Sequence, residues 1–230
     1  MALFYRLILG HLLGDFVFQS EWFFQADKKK LLRVFHGLAV GLITFIATLP
    51  YMKDSRGQFN LTLLLVIFGI TASHILIDLG KLSATIKRGR DTLSLFVIDQ
   101  ILHLAIIYGA YKIADNTVYS EPYIELQLVC FIILAMWVVP LFVRLFESAI
   151  GKEEIAPYEY YKEPRRGLAL WERGAIFLAL GLLGNWLFLL PAAIIPRIIL
   201  RLNYSSERFP LFNWFFAGIT GIAYLLITRV

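Results

Sequence analysis

The sequence contains a single cysteine, Cys130, in 230 residues. One thiol excludes an intrachain disulfide framework and any zinc site built from several cysteines of one chain, so a metal here must take nitrogen and oxygen donors. Charge is also scarce. Only 17% of the residues are Asp, Glu, Lys or Arg, against 59% hydrophobic and a mean hydropathy of +0.69, which leaves too little polar surface to clothe a soluble domain. The net charge of +5 is spread over loops, with no basic stripe or nucleic-acid motif, so nucleic acid is not an expected partner. No internal repeat is evident. The first apolar stretch has no small-residue cleavage site behind it and carries His11 and Asp15, so it is expected to remain in the mature protein.

What the chain does have is long apolar runs. Several reach about 20 residues, enough to cross a hydrocarbon core as helix, the only conformation that pairs every backbone group within one segment there. Polar breaks place spans near residues 2–19, 31–52, 60–81, 93–113, 122–146, 168–186 and 211–228. A shorter segment, 188–203, contains Pro191 and Pro196 and leaves a kinked span, a re-entrant hairpin or an interfacial helix open. The expected fold is an all-α, polytopic transmembrane bundle of seven or eight segments. Residues 1–113 form a four-helix unit and 114–230 a C-terminal unit, with the polar connection 147–167 as a further candidate boundary. Alternating the loops puts sixteen basic residues on one side and five on the other, so the positive-inside rule sets the N-terminus outside and the basic loops in the cytoplasm.

That topology gathers scattered residues. His11 and Asp15 on the first span, His36 on the second, His74 and Asp78 on the third, and Asp99 and His103 on the fourth all fall about 5–17 Å from the cytoplasmic helix ends at about 1.5 Å per residue. Three of the pairs are spaced by four positions, which stacks both side chains on one helix face. With seven Asp in the chain, chance gives a histidine such a partner only ~6% of the time; three of the four have one. Clustered ionisable groups in a bilayer cost on the order of 2.5–3.5 kcal/mol each, and a divalent cation, with zinc the leading candidate, offsets that through imidazole and carboxylate ligands. The expected metal ligands are His11, Asp15, His36, His74, Asp78, Asp99 and His103. One ion, two ions, and second-shell use of an Asp all fit. Interhelical hydrogen bonding is the alternative, above all for His36, and a metal-free proton relay uses the same residue types.

HLLGDFVFQS at 11–20, the basic run before His36, SHILIDLGK at 73–81 and FVIDQILH at 96–103 resemble an uncharacterised bacterial integral-membrane family, domain of unknown function 3307. The likeness is also seen in GLALWERGAIFL at 167–178 and around Arg197 and Arg201. It implies a multi-pass protein of the bacterial inner membrane and no particular activity. The arrangement of His and Asp on adjacent helices is similar to that of membrane-bound metal-dependent hydrolases, and to His-x-x-x-Asp zinc exporters, at the level of site chemistry alone.

Three functions follow as expectations. The first is a metal-dependent hydrolase of a lipid or lipid-linked substrate, in which whichever of Asp15, Asp78 and Asp99 is not a ligand is the general base, and Arg173, Arg197 and Arg201 bind a phosphate headgroup. A metal-ion or proton-coupled transporter is the second, disfavoured by the missing repeat. The third is a scaffold stapled by a structural ion, disfavoured by more donors than one closed site needs. Membrane lipids are partners in all three.

Overall fold

The computed structural model describes residues 1–18, 30–53, 57–114, 123–151, 166–182, 187, 189–191 and 210–228. Among these the chain is all helix, with one isolated bridge, Lys53 to Phe59, and no strand. Helix α1 is Ala2–Leu12 and continues into a π turn, Leu13–Val17; α2 is Lys30–Ala47, followed by a 3-10 turn at Leu49–Tyr51; α3 is Leu61–Arg88 and α4 is Leu93–Ala114. Beyond them lie α5, Ile124–Ile133, with a π turn at Leu134–Val138 leading into α6, Val139–Gly151; then α7, Arg166–Leu182, and α8, Pro210–Thr228.

Among the described residues, five helices are long and apolar enough to cross a membrane: α2, α3, α4, the run Ile124–Ile150 and α8. That is fewer than the seven or eight spans expected. Within the described residues α1 and its π turn cover Ala2–Val17 and α7 covers Arg166–Leu182. Most of 188–203 lies outside the described residues. Helix α3 overruns its expected end at residue 81, because nothing in Lys81–Arg88 breaks a helix; Gly89 ends it by taking φ 75° while its N–H bonds to Ile86 O, the left-handed cap that glycine adopts without a Cβ penalty. At its start Asn60 is spent on capping: Oδ1 accepts from Leu63 N at 3.0 Å and Nδ2 donates to Tyr51 O at 3.2 Å.

The chain divides into two compact units, residues 1–130 and 131–230. In the first unit the helices are amphipathic in the inverted sense. On α2 the exposed face reads Leu31, Phe35, Leu38, Leu42 and Ile46, while the buried face reads His36, Gly37, Val40, Gly41 and Thr44. Lipid is the solvent that such a helix suits, since large apolar side chains turn outward and small or polar ones meet the neighbouring helix. One half of the unit is a conventional apolar core that includes Leu3, Leu7, Tyr51, Leu63, Ile67, Ile107 and Tyr111. The other half carries the histidines and aspartates.

Glycines let the helices of the polar half approach closely. A Cβ built on Gly10 would stand 2.5 Å from Thr44 Cα, one on Gly14 would stand 2.7 Å from Val40 Cγ2, and those on Gly37 and Gly41 would meet Ile75 and Thr71 at 2.3 Å. Each pair is a Gly-x-x-x-Gly spacing, the small-residue stripe that brings membrane helices into backbone contact. In the second unit α7 and α8 meet similarly, with Gly221 against Phe177 O. There Arg144, Glu147, Glu172, Arg173 and Asn213 are buried, and Trp214 Nε1 donates to Glu172 Oε2 at 3.3 Å.

Candidate metal centre

All seven expected ligands lie in the first unit, between 2% and 7% exposed. His11 is in the last turn of α1 and Asp15 in the π turn after it, a distortion common at functional sites. His36 enters from α2, His74 and Asp78 from α3, and Asp99 and His103 from α4. The Gly10 and Gly14 contacts with α2 flank His11 and Asp15, and the Gly37 contact with α3 adjoins His36. Close helix approach thus brings donors from four segments within reach of one another.

Asp15 Oδ1 lies 3.2 Å from His36 Nε2 and 3.3 Å from His74 Nε2. Asp78 Oδ2 is 3.8 Å from His36 Nε2 and 3.7 Å from His74 Nε2, while its Oδ1 is 3.6 Å from His103 Nε2. His103 Nε2 is also 3.5 Å from Asp99 Oδ1, and the His74 and His103 rings stack at 4.2 Å between centroids. Three trios have donor atoms all within 4.8 Å of one another: His11, His74 and His103; Asp15, His36 and His74; and Asp78, Asp99 and His103.

Hydrogen bonding accounts for only part of this arrangement. An N–H···O bond spans about 2.7–3.2 Å, so the contacts from 3.5 to 3.8 Å are too long. His74 Nε2, Asp78 Oδ2, Asp99 Oδ1 and His103 Nε2 are buried and make no hydrogen bond; each such group costs about 1–3 kcal/mol if left unpaired. A metal ion would account for both facts. Two ligands on a tetrahedral zinc, bound at about 2.0–2.2 Å, stand about 3.3–3.6 Å apart. The donor set of imidazole nitrogens and carboxylate oxygens suits a divalent cation of that kind, so the residues can hold one geometrically.

The groups around the donors set their orientation. Lys81 Nζ and Gln100 Nε2 both donate to Asp99 Oδ2, each at 3.1 Å, which leaves Oδ1 to face His103. Lys81 lies three residues after Asp78 on α3, yet its short ion pair is with Asp99, across to α4, with Asp91 at 4.0 Å. With its amide nitrogen committed, Gln100 turns Oε1 toward His11 Nε2 at 3.4 Å. A proton on Nε2 would suit Gln100 Oε1 and leave the lone pair of Nδ1, 3.7 Å from Asp15 Oδ2, for a cation. These are the outer contacts that hold ligands of metal centres in place.

Arg173 belongs to the second unit, where it is buried on α7, and Arg197 and Arg201 lie outside the described residues. Sequence reasoning passed over Gly10, Gly14, Gly37 and Gly41, although their four-residue spacing beside His11, Asp15 and His36 was the available signal.

The described residues therefore define a helical chain with five helices able to cross a membrane and a buried His and Asp centre able to hold a metal ion. The chain belongs to the family described as "Protein of unknown function (DUF3307)", which matches residues 3–132, a stretch nearly coextensive with the unit that carries the centre. The likeness read at 167–178 and around Arg197 and Arg201 falls outside that match. No curated protein and no solved structure matches the chain.

Proposed function

We propose that this chain is an integral protein of the bacterial inner membrane, N-terminus outside, whose first unit holds a divalent cation, zinc by preference, near the cytoplasmic leaflet and hydrolyses a lipid or lipid-linked substrate with it. The carrying observation is the set of buried donors, four of whose atoms lack hydrogen bonds, at separations matching the edges of a metal coordination polyhedron. A structural site closes with four ligands; seven residues converge here, which favours chemistry over a staple.

When bound, the cation supplies Lewis acidity, polarising a phosphoryl or acyl oxygen and lowering the pKa of water toward about 7. The protein's own groups do the rest. His36, His74 and His103 present Nε2 to the cation, and His11 presents Nδ1 with its proton held away on Nε2. Any of Asp15, Asp78 and Asp99 not engaged as a ligand takes the proton from the attacking water. Lys81 and Gln100 hold Asp99 in one orientation, and the basic loops draw anionic lipid to the same face.

The test is hydrolysis by the full chain in proteoliposomes, following release of phosphate and fatty acid from phosphatidate and other phospholipids, with and without chelator. The proposal expects turnover that chelation abolishes and that His74→Ala with Asp78→Ala lowers at least 100-fold. Full turnover by that variant, with its helical content unchanged, removes the hydrolase reading. Zinc flux into the vesicles without hydrolysis establishes transport in its place.

A further inference from the structure

Asp78 faces different histidines with its two oxygens, as Asp15 also does through Oδ1 to His36 and His74 and Oδ2 to His11, and it is Asp78 that links His36 and His74 to His103. Its Oδ2 looks toward His36 and His74, at 3.8 and 3.7 Å, and Oδ1 toward His103, at 3.6 Å. The donors sort around it. On one side stand Asp15 Oδ1, His36 Nε2, His74 Nε2 and Asp78 Oδ2, with four of their mutual distances between 3.2 and 3.8 Å. On the other stand Asp78 Oδ1, Asp99 Oδ1 and His103 Nε2, with His103 3.6 and 3.5 Å from the two oxygens.

We infer that the centre holds two divalent cations bridged by the Asp78 carboxylate, an inference that rests on the metal reading above. One tetrahedral ion takes four donors, and seven residues offer them. A single ion on either side would also leave the orphaned buried atoms of the other side unsatisfied: Asp99 Oδ1 and His103 Nε2 in one case, His74 Nε2 and Asp78 Oδ2 in the other. Two ions engage all four. The two sides differ in kind. Asp15, His36 and His74 form one trio, and Asp78 Oδ2, 3.8 and 3.7 Å from the two histidines, would complete a set of four. Asp78, Asp99 and His103 supply three, which leaves a position for water or substrate, the difference that separates structural from catalytic sites. Two cations sharing a carboxylate match the pairs, about 3.5–4 Å apart, that clamp both the attacking and the leaving oxygen in phosphoryl and acyl transfer. His11, grouped with His74 and His103, lies beside both.

The experiment is metal stoichiometry on the purified full chain in detergent, by elemental analysis after dialysis against zinc and by paramagnetic resonance after dialysis against manganese. The expected result is two ions per chain and the spin-coupled manganese signal of a bridged pair, with one ion left and coupling lost in His103→Ala. One ion per chain in wild type, with an uncoupled signal, overturns the inference and leaves the metal reading standing. No ion above the detergent blank overturns both. The manganese measurement on wild type needs no variant, so a misfolded His103→Ala does not spoil the test.

Discussion

A methyl group placed on Gly10 tests whether close approach of the helices creates the metal centre. The new Cβ of Gly10→Ala would stand 2.5 Å from Thr44 Cα and 2.7 Å from Thr44 Oγ1. The nearest atom is backbone, so no rotamer change relieves the clash. Carbon atoms rest at about 3.5–4.0 Å, and α1 and α2 must therefore part by roughly 1.0–1.5 Å. Asp15 rides on the segment that continues α1 and His36 on α2, so their 3.2 Å separation opens to about 4 Å or more, beyond the edge of about 3.3–3.6 Å that a tetrahedral ion accepts. The stability cost falls in the overpacking range of about 1–3 kcal/mol. Metal affinity should drop about 10- to 100-fold, the loss typical when ligand positioning is disturbed. Gly69→Ala and Gly109→Ala are the controls, since a Cβ at either meets nothing within 4 Å; helix propensity gives them about 0.5–1 kcal/mol of added stability, with metal binding untouched. Thermal unfolding in detergent and zinc titration read both quantities. If Gly10→Ala melts and binds zinc like wild type, glycine contact does not position the centre.

Other consequences are separable. Gln100→Leu removes the group that donates to Asp99 Oδ2 and faces His11 Nε2; zinc affinity should fall about 10- to 100-fold with little change in melting, and an unchanged affinity refutes the orienting role. Asn60→Ala loses the α3 cap and the bond to Tyr51 O, costing about 1–2 kcal/mol with metal content unaltered; a fall in metal content would show that the capped end and the centre are coupled. Asp15, Asp78 and Asp99 outweigh the paired Lys81, so with neutral histidines the empty set is anionic and two divalent cations make it cationic in an apolar setting. Titration calorimetry should therefore find orthophosphate binding to the two-ion form and at least 10-fold more weakly to the ion-free form. Equal binding by both forms speaks against the charge reversal.

The centre was legible in the sequence because rarity and period coincide there. Ionisable residues are few in apolar helices, and a spacing of four returns a side chain to the same helix face, so His11 with Asp15, His74 with Asp78 and Asp99 with His103 stand out without knowledge of the partners. Cross-helix contacts carry no such period. Lys81 is three residues from Asp78, yet its short ion pair is with Asp99 because α4 presents that carboxylate, and nothing local distinguishes the two. His36 has no Asp four positions away and was the residue most open to a purely hydrogen-bonding role, and α2 does set its Nε2 within hydrogen-bonding distance of Asp15 Oδ1, at 3.2 Å. Of the expected spans, those beginning near 31, 60, 93, 122 and 211 coincide with helices long and apolar enough to cross a membrane among the described residues.

The division of the first unit into an apolar half and a polar half follows from the solvent. Between helices in lipid the hydrophobic effect contributes little, because the tails are as apolar as the side chains they replace, so association falls to tight packing, interhelical polar contacts and bound ions. The apolar half meets that requirement with large interlocking side chains such as Leu7, Tyr51, Ile67 and Ile107. The polar half has Gly10, Gly14, Gly37 and Gly41 at its crossings and three carboxylates facing one another, which repel without a cation. On the proposed reading its packing and a bound metal would be coupled, since the glycines bring the donors close together and a cation would remove the repulsion that proximity creates. Removing metal should loosen the crossings at Gly10, Gly14 and Gly37 while the core around Leu7 and Ile107 persists. Hydrogen exchange can see that difference: faster exchange on chelation at residues 11–17, 36–41 and 74–82, and unchanged protection at 63–70 and 107–114. Uniform loss of protection would mean instead that the unit unfolds as one, with no separate role for the ion at the polar end.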